Sequence, residues 1–84
     1  MIRIVLIDDH AVVRTGYRRL LSAEADFEVV GEAASADEAN ALVQRTQPDL
    51  ALVDLNLKGS SGLEAIRGML ARKPGLRVLV PSMY

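Results

Sequence analysis

Two short apolar runs in this chain end in acid. Ile2–Ile7, with the sequence Ile-Arg-Ile-Val-Leu-Ile, leads into Asp8 and Asp9, and Leu50–Val53 leads into Asp54. Runs this short, rich in β-branched residues and leucine, read as strands covered on both faces, the kind that build parallel sheets. Acids directly after such strands fall at the carboxyl edge of the sheet, where open α/β sheets place their sites. If the two strands are neighbours, residues 8, 9 and 54 converge on one small volume. Three carboxylates repel one another there unless a cation sits among them. An all-oxygen donor set that keeps some water suits Mg2+.

The remaining pattern alternates helix with strand. His10 to about Ser22 is expected to be helical. Val12, Val13, Leu20 and Leu21 form its apolar stripe, Tyr17 lies near it, and Arg14, Arg18 and Arg19 fall on a solvated face. Gly16 is expected to let this helix approach the sheet closely. Residues 27–33 alternate as an edge strand. Ser35 with Glu38 three residues on makes a capping box, and the helix it opens turns Ala39, Leu42 and Val43 inward. Pro48 separates that helix from the strand ending at Asp54. A third helix from about Gly62 to Ala71 buries Leu63, Ile66, Met69 and Leu70. Pro74-Gly75 punctuates it before a last strand, residues 77–80. The order β-α-β-α-β-α-β, with right-handed crossovers, gives one parallel sheet with helices on both faces.

Bulk properties narrow the function. At 84 residues the chain is one domain, and its 50% hydrophobic content suffices for a core. A net charge of −1 leaves no basic excess to hold a phosphate backbone. The absence of cysteine excludes a disulfide framework or a thiolate metal site and suits a reducing compartment. The apolar start is too short for a signal peptide or a membrane span, so a cytoplasmic, membrane-free location is expected. No G-x-G-x-x-G follows the first strand, which argues against dinucleotide binding.

Ile7-Asp8-Asp9-His10 with Arg14 and Gly16, then the segment from Asp54 to Glu64 with Gly62, then Ser82 after the fourth strand, resembles the receiver domain of bacterial response regulators. His10 and Arg14-x-Gly16 are similar to the subfamily that carries a LuxR-type helix-turn-helix output domain. The resemblance runs the length of the chain. It implies a flavodoxin-like sheet of order 2-1-3-4, with the family's fifth strand and last helices missing, and no output domain in residues 1–84. It implies that Asp54 is the phosphoacceptor, phosphorylated by a sensor histidine kinase. Asp9 binds Mg2+, Asp8 assists directly or through water, and the backbone carbonyl of Asn56 is a further ligand. Ser82 senses the phosphoryl group as a switch residue; Tyr84 matches a switch aromatic only loosely. DNA is reached only through an output domain outside this chain.

The sequence departs from the family in several places. No residue takes the role of the lysine that follows the fifth strand, since Lys58 and Lys73 stand at other motif positions. Lys58 replaces a common proline, and Pro81 ends the fourth strand at or before Val80. Without a fifth strand the fourth becomes an open apolar edge, which predicts a homodimer, a swapped dimer or aggregation. Two other functions compete with a phosphorylated receiver. One is a truncated receiver acting as a phosphorylation-independent dimerisation module. The other is an aspartyl-nucleophile phosphatase, disfavoured because Asn56 stands where such enzymes place a general acid. His10 itself reads as a helix-start residue with no ligand role.

Overall fold

The computed structural model describes residues 1–57, 59 and 61–81. The chain order is β1 (Ile2–Ile7), α1 (Ala11–Ser22), β2 (Phe27–Ala33), α2 (Ala36–Thr46), β3 (Leu50–Val53), α3 (Gly62–Arg72) and β4 (Arg77–Leu79). The four strands form one parallel sheet in the order β2-β1-β3-β4. The alternation, the element types and the sheet order are those expected. The central pair matters most: Ile4 to Ile7 of β1 lie in register with Leu50 to Val53 of β3.

Alternate residues separate the two faces of the sheet. Val5, Ile7, Ala51 and Val53 join Ala39, Leu42 and Val43 of α2 and Ala65 and Met69 of α3 in one buried cluster. Ile4 and Leu6 are equally buried but belong to the opposite face, beneath α1. The α2 start follows its sequence signal. Ser35 Oγ accepts from the Glu38 N–H at 3.2 Å, while the Glu38 carboxylate accepts from Ala34 N–H at 3.3 Å, one residue before the cap. At the other end Gln47 adopts a left-handed conformation with φ 47°. There Arg3 and Lys73 donate to the Gln47 carbonyl at 3.1 and 3.0 Å, so two cations face the negative end of the helix dipole. Close approach of α2 and α3 depends on Gly68, where an added Cβ would lie 2.4 Å from the Asn40 side chain.

Three packing expectations fail. In α1, Val12 and Leu20 are 85% and 70% exposed, and the helix has no fully buried residue. Its inner side is made instead by the half-buried Val13, Tyr17 and Leu21. Gly16 is exposed with nothing within 4 Å of an added Cβ, so it serves no close approach. In α3, Leu63 is exposed and Ala65 takes the buried place. In α1 the difference is one of rotation: Val12, Gly16 and Leu20 share one outward stripe, and the stripe one residue on, Val13, Tyr17 and Leu21, is the half-buried one. β4 ends at Leu79, before Pro81, as the missing proline N–H requires.

Candidate metal centre

The site is built by the adjacency of two strand tips. The Asp54 N–H donates to the Ile7 carbonyl at 2.8 Å, so the residue after β3 is tied to the last residue of β1. Asp8 and Asp9 leave β1 on the same edge. One donor atom from each of Asp8, Asp9, His10 and Asp54 lies within 4.8 Å of the others. The side chains of Asp8 and Asp9 are 12% and 6% exposed, and that of Asp54 is 24% exposed. The acids are therefore sheltered yet open on one side.

The His10 side chain also lies against the cluster, a contact that its place at the start of a helix did not announce. Its Nδ1 lies 3.0 Å from Asp8 Oδ1, 2.9 Å from Asp9 Oδ1 and 3.7 Å from Asp54 Oδ2. Its backbone N–H also donates to Asp8 Oδ1 at 2.7 Å. The hydrogen bond to Asp8 and the negative charge of Asp9, with smaller help from Asp54, raise the His10 pKa above 6.5. Sequence offered one hint, that His10 directly follows the acid pair. A cap position gave no reason for the ring to turn back onto it.

Asp54 is held on its other side. Asn56 N–H donates to Asp54 Oδ1 at 2.9 Å, leaving Oδ2 facing His10 and the acid pair. Gly62 presses on the same loop. A Cβ there would sit 2.4 Å from Leu55 Cα and 2.6 Å from the Asp54 carbonyl oxygen, so only glycine fits. Ser61 caps α3 beside it, its Oγ accepting from Leu63 N–H at 3.1 Å. Arg14, expected in solvent, is 21% exposed. It reaches the Asp8 carbonyl at 2.7 Å and Glu32 at 3.3 Å. Sequence separation hid that contact, because Glu32 is on another strand. Ser82, Tyr84 and Lys58 lie outside the described residues.

The donor set fits a hard divalent ion. Three carboxylates each bring an oxygen within 4.8 Å of the others, beside the His10 nitrogen, a mainly oxygen donor set. Residues 4–84 match the family described as response regulator receiver domain. The chain belongs to that family.

The receiver is 44% identical over its whole length to the DNA-binding transcriptional activator DevR/DosR of Mycobacterium tuberculosis, of which it covers 39%. It is 41% identical over 99% of its length to the transcriptional regulatory protein DegU of Brevibacillus brevis, of which it covers 35%. A two-component response regulator of the LuxR family from Aurantimonas sp. SI85-9A1 superposes with a TM-score of 0.92 at 43% identity. That match covers all of this chain and 60% of the other. The receiver thus spans less than two-fifths of the length of these curated relatives. It is a receiver domain related to those of transcriptional regulators. Among the described residues no helix is long and apolar enough to cross a membrane.

Proposed function

We propose that this receiver accepts a phosphoryl group on Asp54 from a sensor histidine kinase, in an Mg2+-dependent reaction in the cytoplasm. The observation that supports this most is the convergence of Asp8, Asp9 and Asp54 at one sheet edge. Asp9 and Asp54 would hold the ion through their carboxylates, with Asp8 assisting and the Asn56 carbonyl as a further ligand. Bound there, Mg2+ supplies positive charge that lets two anions approach each other. An Asp54 oxygen then attacks phosphorus, and the phosphorus–nitrogen bond of the donor phosphohistidine breaks, its electron pair leaving with the imidazole. The new dianionic group engages Ser82, which links the site to a surface used for dimerisation. The output is transcriptional, through a DNA-binding domain carried elsewhere in the longer protein.

The test is direct. The chain is incubated with acetyl phosphate and Mg2+ and weighed by mass spectrometry. A gain of one phosphoryl group, lost on removing Mg2+ and absent in Asp54→Asn, is expected. No gain with Mg2+ demonstrably bound overturns the reading.

One observation favours a second reading, a dimerisation module indifferent to phosphorylation. Ile2 and Leu79 stand 41% and 55% exposed on strands of the sheet. That reading predicts a stable dimer unaltered by Asp54→Asn. Sedimentation of both forms separates the two functions.

A further inference from the structure

We propose that Arg14 is a positioning residue, which aims Asp9 into the metal centre by holding the carbonyl of Asp8. The inference rests on reading residues 8, 9 and 54 as that centre. The Arg14 guanidinium donates through Nη1 to the Asp8 carbonyl oxygen at 2.7 Å. A peptide unit is planar, so fixing the Asp8 carbonyl also fixes the Asp9 N–H and the direction in which Asp9 Cα departs. The other side of Asp8 is tied as well, its N–H donating to the Ala33 carbonyl of β2 at 3.0 Å. Arg14 therefore completes the clamp on a two-residue segment that carries two of the three acids.

The guanidinium is itself oriented. Its Nε lies 3.3 Å from Glu32 Oε1, and Arg18 Nη1 donates to the second oxygen of the same carboxylate. Glu32 is on β2, beside Leu6 of β1, so the chain of contacts joins α1, β2 and the end of β1. These side chains are only 21% and 24% exposed, which limits solvent screening. Glu32 also offsets the charge of Arg14. The cation steers the acid loop through a main-chain oxygen instead of pairing with the carboxylates that the ion needs. Lysine is a poor replacement, because a single ammonium lacks the planar fork that spans carbonyl and carboxylate together.

Mg2+ titration by calorimetry, well below the melting temperature, tests this on the full chain. Arg14→Gln is expected to weaken Mg2+ binding about tenfold, the usual effect of losing a group that orients a ligand. Its ion-free NMR spectrum should show the Asp9 amide displaced. Arg14→Lys should recover part of the affinity, and Glu32→Gln should lose several-fold. A folded Arg14→Gln with wild-type Mg2+ affinity and only a lower melting temperature overturns the proposal. If Arg14→Gln does not fold, wild-type affinity in Arg14→Lys and Glu32→Gln overturns it equally. A folded wild type that binds no Mg2+ overturns the metal centre itself, and this inference with it.

Discussion

His10 stands where three acids call for a cation. Its raised pKa comes mainly from the hydrogen bond to Asp8 and the charge of Asp9. A proton bound more tightly in the folded chain stabilises it. That contribution is fully present below pH 6.5, the ordinary histidine value, and is lost as pH rises through the higher folded value. An NMR titration of the His10 ring should therefore find a midpoint above 6.5, and added Mg2+ should lower it, since two cations compete for one acid cluster. An unmoved midpoint would separate the ring from the ion. The acids themselves give a second prediction. Asp9→Asn removes a partner of His10 and should bring the His10 midpoint down toward 6.5, while abolishing the stabilisation that Mg2+ confers on the wild type. NMR titration and thermal melts with and without Mg2+ measure the two effects. At this scale residues 8, 9 and 54 were legible because each follows an apolar run. The Arg14–Glu32 contact was not, because it arises only when α1 packs on β2, and the position of His10 did not show that its ring turns back onto the neighbouring acids.

The elements show how alike two glycines can look in sequence and how differently they act. Gly62 opens α3 against the backbone of Asp54 and Leu55, with 2.4 Å left for any Cβ. Gly62→Ala should cost about 1–3 kcal/mol, the scale of overpacking a close contact, and should also weaken Mg2+ binding by shifting Asp54. Gly16 lies in the middle of α1 with open space around it. Gly16→Ala should instead stabilise the chain by up to about 1 kcal/mol, the helix-propensity difference. Denaturant unfolding of the two variants should give shifts of opposite sign. The Ser35 cap of α2 was readable from four residues, because a cap is local chemistry. The buried face of α1 was not, because it depends on how the helix is rotated against β1 and β2.

Over the whole molecule, cover is uneven. The face holding α2 and α3 is closed around one core, whereas α1 packs on β1 and β2 and the β4 end stays open. Leu79 is 55% exposed and Val80 46%, with the half-buried Leu50 and Leu52 on the adjacent strand. Exposed apolar residues next to an unpaired strand edge favour association. Leu79→Lys should reduce self-association of the chain in sedimentation at high concentration while leaving its far-ultraviolet circular dichroism unchanged, because Leu79 is exposed. Equal association of both forms would place the contact elsewhere.

The sequence by itself determined the alternation of strands and helices, the α2 cap, the end of β4 before Pro81, and the identity of the three acids. All of these follow from neighbours within a few residues: apolar periodicity, a capping side chain, a missing N–H. Only the tertiary structure decided that His10 folds back onto the acids, that Arg14 reaches both Asp8 and Glu32, and that α1 leaves Val12 and Leu20 in solvent. The Arg14–Glu32 contact and the exposure of Val12 and Leu20 depend on how α1 sits on β1 and β2, and the His10 ring meets its chain neighbours through the backbone turn that follows β1.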